Sequence, residues 1–311
     1  MFLIIGVIII AAFIAIGAYS FLIPARLDQE QNQAEDDTEE DSKLSQEEDY
    51  NQAITIDPEL SETYYNRANA TYYLKDYQKV IEDYNQAIEY NPKFAEAYNN
   101  RGNTYYSLGD YQKAVEDYTQ AIQINSQLYR SYYNRGNAYY ALEKNQQAIE
   151  NFSQAIEINP NYAEAYNNRG IVYQILKNSQ AALEDYSQAI EINPNYAEAY
   201  NNRGNLYYDL QKYQQAIDDY NQAILIDQED SKAYNNRGNA LYEIEQYQEA
   251  EKDYSEAINL DPSYAEAYYN RGLVYRKMND AQTANLDFEK AKQLSQKQQN
   301  KNLYEKLKNL G

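Results

Sequence analysis

The tripeptide Asn-Arg-Gly recurs at a constant interval of 34 residues, and this period restricts the possible folds more than any other feature of the sequence. A fixed period of this length indicates stacked supersecondary units rather than one globular core. The period divides residues 61–298 into seven units, the first of which has Ala68 in place of the Gly. The units are 61–94, 95–128, 129–162, 163–196, 197–230, 231–264 and 265–298.

Each unit contains two stretches with helical periodicity, as the unit 197–230 illustrates. Tyr200 and Gly204 in its first half, and Ala216 and Tyr220 in its second half, are each four residues apart and mark one helix face. Each unit is therefore predicted to be a helical hairpin. Because Pro cannot continue a helix, we expect it to end the second helix of a unit. The Pro residues at this place are Pro58, Pro92, Pro160, Pro194 and Pro262.

Small residues recur where the two helices of a hairpin would meet, and we expect them to permit close helix approach. The predicted structural glycines are Gly102, Gly136, Gly170, Gly204, Gly238 and Gly272.

The Arg of the tripeptide is matched by a column of Asp on the second helices. A basic ligand site is one interpretation of the Arg column. We favour internal Arg–carboxylate pairs, because the two columns match unit by unit and the planar guanidinium suits a carboxylate. The Arg residues are Arg67, Arg101, Arg135, Arg169, Arg203, Arg237 and Arg271, and the second column is Asp83, Asp117, Asn151, Asp185, Asp219, Asp253 and Asp287.

The 34-residue period, the aromatic–small–aromatic first helix and the Ala–aromatic–Ala second helix resemble the tetratricopeptide repeat (TPR) family over about 61–298. The resemblance implies an all-α fold, a right-handed superhelical solenoid of antiparallel helical hairpins whose concave groove binds peptide segments of partner proteins. The Asn-Arg-Gly type of repeat also resembles cyanobacterial TPR proteins. Tyr occupies the family's usual first-helix Trp position at Tyr98, Tyr166, Tyr200 and Tyr234.

A second stripe follows the first helices on the side opposite the core positions. In the resembled family this face lines the groove. Asn can hydrogen-bond a peptide backbone, and Tyr offers a rigid ring with a polar tip. An ordinary polar face towards solvent is the alternative. The predicted groove residues are Asn99, Asn103, Tyr106, Tyr133, Asn137, Tyr140, Asn167, Ile171, Gln174, Asn201, Asn205, Tyr208, Asn235, Asn239 and Tyr242.

Two units break this stripe with apolar or basic residues, and we interpret the breaks as candidate specificity pockets. They are Ile171, Gln174 and Ile175 in one unit and Leu273, Arg276 and Lys277 in the other.

Two shorter pieces flank the array. Residues 44–60 match a second helix and are predicted to be a half repeat that acts as a capping helix. Residues 299–311 are predicted to form a C-terminal cap helix with Leu303 and Leu307 on one face. Such caps are expected because the end units of a solenoid expose an apolar face.

Residues 2–23 form an uncharged apolar run of 22 residues. As a helix it would span about 33 Å, close to the roughly 30 Å core of a bilayer, so we predict one transmembrane anchor before the solenoid. The alternative is a cleaved signal peptide, which the absence of a preceding Lys or Arg disfavours. Arg26 lies just after the run and favours repeats on the cytoplasmic side of a single-pass membrane protein. A secreted or periplasmic module is the alternative location.

More than half of the net charge of −21 lies in residues 27–60, which hold 13 acidic residues and one Lys. We predict that residues 24–43 are an acidic, disordered spacer, because they contain too few apolar residues to form a core. An acidic bait for a basic partner is the alternative.

The chain contains no Cys and no His. Thiol nucleophiles, Cys-type zinc sites and the commonest general base are therefore excluded. Nucleic acid is a disfavoured partner, because such binding depends on Lys and Arg. The sequence also has no P-loop and no dinucleotide-binding turn. We therefore predict no enzymatic activity, no cofactor, no metal and no small-molecule substrate.

The sequence favours a membrane-tethered scaffold that binds peptide segments of other proteins in its groove. An assembly factor or chaperone for a membrane complex, for example a photosynthetic one, is the alternative with the same anatomy.

Overall fold

The computed structural model describes residues 48–55, 57 and 59–308, and every regular element in these ranges is a helix. The chain divides into two compact units, 1–49 and 50–311; of the first, only residues 48 and 49 are described, and both are helical. The predicted anchor at 2–23 and spacer at 24–43 lie outside the described residues. None of the helices in the described ranges has both the length and the apolar character needed to cross a membrane.

A helical segment at 48–55 precedes the repeats. The helices that follow are α1 (Ser61–Thr71, extended by a 3-10 turn at Tyr72–Leu74), α2 (Tyr77–Tyr90), α3 (Ala95–Ser107), α4 (Tyr111–Ile124), α5 (Tyr129–Ala141), α6 (Asn145–Ile158), α7 (Ala163–Ile175), α8 (Ser179–Ile192), α9 (Ala197–Asp209), α10 (Tyr213–Ile226), α11 (Ser231–Glu243), α12 (Tyr247–Leu260), α13 (Ala265–Lys277), α14 (Ala281–Lys297) and α15 (Lys301–Lys308).

The helices pack in chain order, which makes the described array a solenoid. The odd-numbered helices α1 to α13 are the first helices of the seven units, and each packs against the second helix of its own unit. Each second helix also packs against the first helix of the next unit. Helix α15 packs against α14 and buries Leu303 and Leu307 beside Phe288. Every unit therefore completes its core with a neighbour.

An Asn or Asp turn ends the second helices. The Oδ1 of Asn91 accepts a hydrogen bond from the backbone N–H of Lys93 at 3.2 Å. Ser126 and Gln228 stand where other units have Pro, yet α4 and α10 keep the common length of 14 residues. Ser295 stands at the place of Asn91 in the last unit, and α14 continues to Lys297. The same turn forms at Asn125, Asn159, Asn193, Asp227 and Asp261.

The role that the sequence suggested for Pro is therefore corrected. The side chain of Asn or Asp satisfies a backbone N–H just beyond the helix and favours the turn. This turn, and not Pro alone, sets the interval between units.

In the six units that carry the Gly, the core of the hairpin is an aromatic ring packed on the Gly of the first helix. Tyr220 on α10 is 1% exposed, and a Cβ placed on Gly204 would lie 2.8 Å from its Cε1. The corresponding distance from Gly102 to the Tyr118 ring is 2.7 Å. A ring this close leaves no room for a side chain at the Gly position of these first helices.

Gly204→Leu is expected to destabilise the protein by about 1–3 kcal/mol, because the added side chain overpacks the hairpin. The ring of Tyr220 cannot move aside freely, since its hydroxyl donates a hydrogen bond to Asn205 at 2.8 Å. Denaturant unfolding of Gly204→Leu, compared with Gln215→Leu on the exposed side of α10, measures the effect. Equal unfolding midpoints for the two variants would contradict the packing described here.

Candidate functional site

The Arg column forms a continuous ladder along the solenoid. Arg203 donates from Nε and Nη2 to the two carboxylate oxygens of Asp219 at 2.8 and 2.7 Å. Its Nη1 donates to the Oγ of Ser187, on the second helix of the preceding unit, at 3.0 Å. The guanidinium also lies 5.8 Å from the ring centroid of Tyr200. These groups are occupied by the fold, so the Arg column does not form a ligand site.

Five other units repeat the bidentate pair, and one departs from it. In that unit Arg135 donates to the Oδ1 of Asn151 at 2.7 Å and to Thr119 at 3.0 Å. The bidentate pairs are Arg67–Asp83, Arg101–Asp117, Arg169–Asp185, Arg237–Asp253 and Arg271–Asp287.

The predicted groove stripe is only partly accessible. Tyr133, Asn167 and Asn235 are buried, and Asn167 has no exposed area at all. These three side chains therefore cannot form part of an open binding surface, because neighbouring units cover them. Tyr140 is exposed. The remaining predicted groove residues are half-buried: Asn99, Asn103, Tyr106, Asn137, Ile171, Gln174, Asn201, Asn205, Tyr208, Asn239 and Tyr242.

A ladder of amide hydrogen bonds joins consecutive units through this stripe. The Oδ1 of Asn103 accepts from the Tyr118 hydroxyl at 2.8 Å and from the Nδ2 of Asn134, in the next unit, at 3.0 Å. Asn239 accepts in the same way from Tyr254 at 2.8 Å and from Asn270 at 3.0 Å. The stripe therefore holds each unit against its neighbour.

No role was predicted from the sequence for the donors of this ladder. They are the Asn residues of the recurring tripeptide. The feature that could have identified them is that Asn is retained in every unit at a position outside both predicted stripes. In the second to seventh units this Asn donates a hydrogen bond to the stripe of the preceding unit. The six donors are Asn100, Asn134, Asn168, Asn202, Asn236 and Asn270.

The hydrogen bonds of the ladder use the amide oxygens of the stripe, whereas some of its amide N–H groups have no partner in the described part of the chain. Among the described residues, the Nδ2 groups of Asn103, Asn205 and Asn239 form no hydrogen bond, and these side chains are half-buried. Because two donors fix each Oδ1, the direction of the Nδ2 group is fixed as well. The stripe therefore offers oriented donors at the interval of the repeat.

Tyr rings stand beside these donors. Tyr208 packs against Tyr213 with ring centroids 5.5 Å apart, and Tyr242 packs against Tyr247 at the same distance. Tyr106 and Tyr111 form the corresponding pair at 5.1 Å. Aromatic pairs of this kind are rigid and add about 0.5–1.5 kcal/mol beyond their buried area.

A cavity of about 230 Å³ opens on the stripe between the fifth and sixth units. Burial raises the pKa of the Tyr208 hydroxyl at its edge to about 12, and the Glu243 carboxylate nearby acts in the same direction. In the part of the chain that the structure describes, no group of three or more acidic side chains has a geometry suited to a metal ion. The cavity is lined by Asn205, Tyr208, Asp209, Tyr220, Asn236 and Asn239.

Sequence profiles of known families match most of the described repeats. A search of curated proteins gave no match. Profiles described as tetratricopeptide repeat match residues 95–128, 163–196, 197–230, 219–252 and 265–298, and a profile described as TPR repeat matches 68–109, 136–177 and 238–279.

Solved structures share the fold. A tetratricopeptide repeat protein from Parabacteroides merdae ATCC 43184 is 22% identical and covers 79% of this chain and 98% of its own, with a TM-score of 0.61. Pseudomonas aeruginosa pilF is 16% identical, with 70% and 97% coverage and a TM-score of 0.61. YrrB, a TPR protein with an unusual peptide-binding site, is 22% identical, with 58% and 93% coverage and a TM-score of 0.50. The matched profiles together extend over more than half of the sequence, and the chain belongs to the tetratricopeptide repeat family.

Proposed function

We propose that this protein is a membrane-tethered scaffold that binds peptide segments of partner proteins along the stripe of its first helices. The observation that carries the proposal is the set of amide donors that the fold orients but does not use. The Nδ2 groups of Asn103, Asn205 and Asn239 are available to a carbonyl oxygen of an incoming peptide backbone. Main-chain recognition of this kind tolerates varied side chains, which suits a scaffold.

The stripe is organised before a peptide arrives. Each Asn is held by hydrogen bonds to its Oδ1, and Tyr106 and Tyr208 are each held by a second ring. Groups that are already ordered lose little conformational entropy on binding, so more of the contact energy appears as affinity. The fold is shared with YrrB, for which a peptide-binding site is known, and this supports the same class of activity here.

The membrane tether rests on residues 2–23, an uncharged run of bilayer length followed by Arg26. We propose that the run stays attached and leaves the repeats on the cytoplasmic side. Sequencing of the mature N-terminus, with alkaline extraction of membranes, tests the tether. A mature chain that starts near residue 19 or 21 would instead make the protein a secreted or periplasmic module.

Asn103→Asp is expected to weaken peptide binding by about three- to tenfold, the cost of one hydrogen bond. The substitution keeps the oxygen that Tyr118 and Asn134 bond and replaces the Nδ2 donor by a negatively charged acceptor. Short random peptides displayed on phage are selected against the full-length chain in detergent, and the affinities of the best synthetic peptides are then measured.

Gln123→Glu is the matched control, because it makes the same change of charge on the exposed side of α4. Unchanged binding by Gln123→Glu is expected. Selected peptides that bind Asn103→Asp, Asn205→Asp, Asn239→Asp and the unchanged chain equally well would refute binding at this stripe.

A further inference from the structure

One position beside the stripe differs sharply between units. It directly follows the place of Tyr208, at the end of each first helix. Carboxylates occupy it in two consecutive units, the fifth and the sixth. In chain order the position is occupied by Tyr73, Ser107, Ala141, Ile175, Asp209, Glu243 and Lys277.

Both carboxylates have neutral partners. Asp209 accepts a hydrogen bond from the Nε2 of Gln174 at 3.3 Å, and Glu243 accepts one from the Tyr208 hydroxyl at 3.4 Å. Neither takes part in an ion pair in the described part of the chain, whereas the buried Asp219 is paired with Arg203. Neither of these two negative charges is therefore held by a cationic side chain at ion-pair distance in the described residues.

An unsatisfied acceptor lies on the same stripe. Asn201 is one helical turn before Asn205, and its Oδ1 is the one buried side-chain polar atom without a hydrogen bond in the described residues. In other units Asn134, Asn202 and Asn270 donate to the corresponding place, but Asn236 donates only to Asn205. A buried acceptor without a donor costs about 1–3 kcal/mol, so the hydrogen bonding between the fifth and sixth units is less complete than in these other units.

The cavity between these units fits one side chain. Its volume of about 230 Å³ is smaller than the roughly 300–1,000 Å³ typical of small-molecule sites. Tyr208 and Tyr220 line it, and a cation near the face of an aromatic ring gains about 0.5–2 kcal/mol. Asp209 also lines it, and the hydrogen bond from Tyr208 brings Glu243 to its edge. The carboxylates and the aromatic rings both favour a positively charged donor.

We propose that the cavity between the fifth and sixth units binds the Lys or Arg side chain of a partner peptide, between the carboxylates of Asp209 and Glu243. The inference rests on the proposed peptide-binding function and adds the chemistry that the peptide must present. It gives a groove of near-identical units one distinct subsite.

The neighbouring units confine this acidic subsite. On one side the fourth unit presents Ile171 and Ile175, the latter 47% exposed. On the other side the seventh unit presents Arg276 and Lys277, both exposed. A basic side chain would meet apolar or basic surroundings one unit away in either direction. The partner peptide is therefore positioned along the groove by the basic residue that enters the cavity.

Selection of phage-displayed random peptides against the full-length chain tests the subsite. We expect one peptide position to be enriched in Lys or Arg. We expect the enrichment to disappear in the double variant Asp209→Asn/Glu243→Gln. Replacing the basic residue of a selected synthetic peptide by norleucine is expected to weaken binding about tenfold, and less at high salt because part of the attraction is screened.

The control Glu150→Gln/Glu184→Gln removes two exposed charges from second helices and is expected to leave the enrichment unchanged. A double-mutant cycle combines the norleucine peptide with the variant Asp209→Asn/Glu243→Gln. It separates a direct contact between the basic residue and the two carboxylates from a general effect of charge on binding. Peptides whose binding is weakened by Asn205→Asp or Asn239→Asp but shows no preference for a basic residue would overturn this subsite alone. A failure to select any peptide that binds the stripe would overturn the proposed function together with it.

Discussion

The repeats are expected to unfold in one alkaline transition between about pH 10 and about pH 12, together with the ionisation of buried tyrosines. Burial raises the pKa of the Tyr133 hydroxyl from 10.0 to about 12, and desolvation also raises the pKa of the core residues Tyr84, Tyr118, Tyr220 and Tyr254. In the unfolded chain the same hydroxyls ionise near pH 10. Their contribution to stability is therefore complete below about pH 10 and is lost as the pH rises through the folded values.

The effect is large because the same ring recurs in most units. Each tenfold difference between the folded and unfolded ionisation constants corresponds to about 1.4 kcal/mol, and domains are stable by only about 5–15 kcal/mol. Hydrogen bonding adds to the loss. The hydroxyls of Tyr118 and Tyr220 donate to Asn103 and Asn205, and a phenolate has no proton to donate.

Tyrosinate absorbance and far-ultraviolet circular dichroism, followed in one titration, measure the transition. The two signals are expected to change together above pH 10. The net charge of −21 also opposes folding at high pH as Lys loses its proton, so the titration is repeated at high salt, which screens that repulsion but leaves the cost of burying a phenolate. Complete ionisation near pH 10 with intact helical signal would show that the hydroxyls are not buried as described.

The sequence predicts the hairpins well because their determinants are local and repeated. Gly204 and Tyr220 are placed by helical spacing within one unit, and the structure packs them against each other. Arg203 and Asp219 were predicted to pair from their matching columns, and their side chains are hydrogen bonded. A pattern that recurs in seven units therefore predicts the contacts inside a unit well, because the same residues occupy the same positions each time.

Contacts between units were harder to predict. Asn167 belongs to the same stripe as Asn103, yet it is fully buried, because Asn202 of the next unit packs against it and donates to it at 3.0 Å. Helical spacing gives the direction of a side chain but not the distance to the next hairpin. The cavity near Asp209 depends on that distance too, and the unpaired oxygen of Asn201 appears only once the units are stacked.

Removing the carboxylate of one Arg–Asp pair is expected to be among the most damaging single changes in this chain. Asp219→Ala leaves the guanidinium of Arg203, whose side chain is 19% exposed, with the hydroxyl of Ser187 as its remaining hydrogen-bond partner. Breaking a largely buried ion pair from one side costs about 3–5 kcal/mol, because the other charge stays desolvated. We expect a loss of about 3 kcal/mol in the free energy of unfolding.

Asp218→Ala provides the matched control, since Asp218 precedes Asp219 on α10 but is exposed and accepts only from Gln214 at 3.1 Å. Its loss is expected to be within about 0.5 kcal/mol. Replacing both Arg203 and Asp219 by Leu is expected to cost less than the sum of the single changes, because no charge is then left unpaired. A cycle with no coupling, or equal effects of Asp218→Ala and Asp219→Ala, would contradict the pairing.

In the third unit the contribution of the Arg–Asp pair can be tested by adding a carboxylate instead of removing one. Asn151 stands in the place of Asp there, and burial lowers the pKa of Arg135. By contrast, the hydrogen bond that Arg203 donates to Asp219 raises the pKa of Arg203. Asn151→Asp supplies the missing carboxylate and is expected to stabilise the protein by about 1 kcal/mol at neutral pH. If the ladder of Arg side chains stabilises the stack, completing it in the one unit that lacks it must raise the unfolding midpoint.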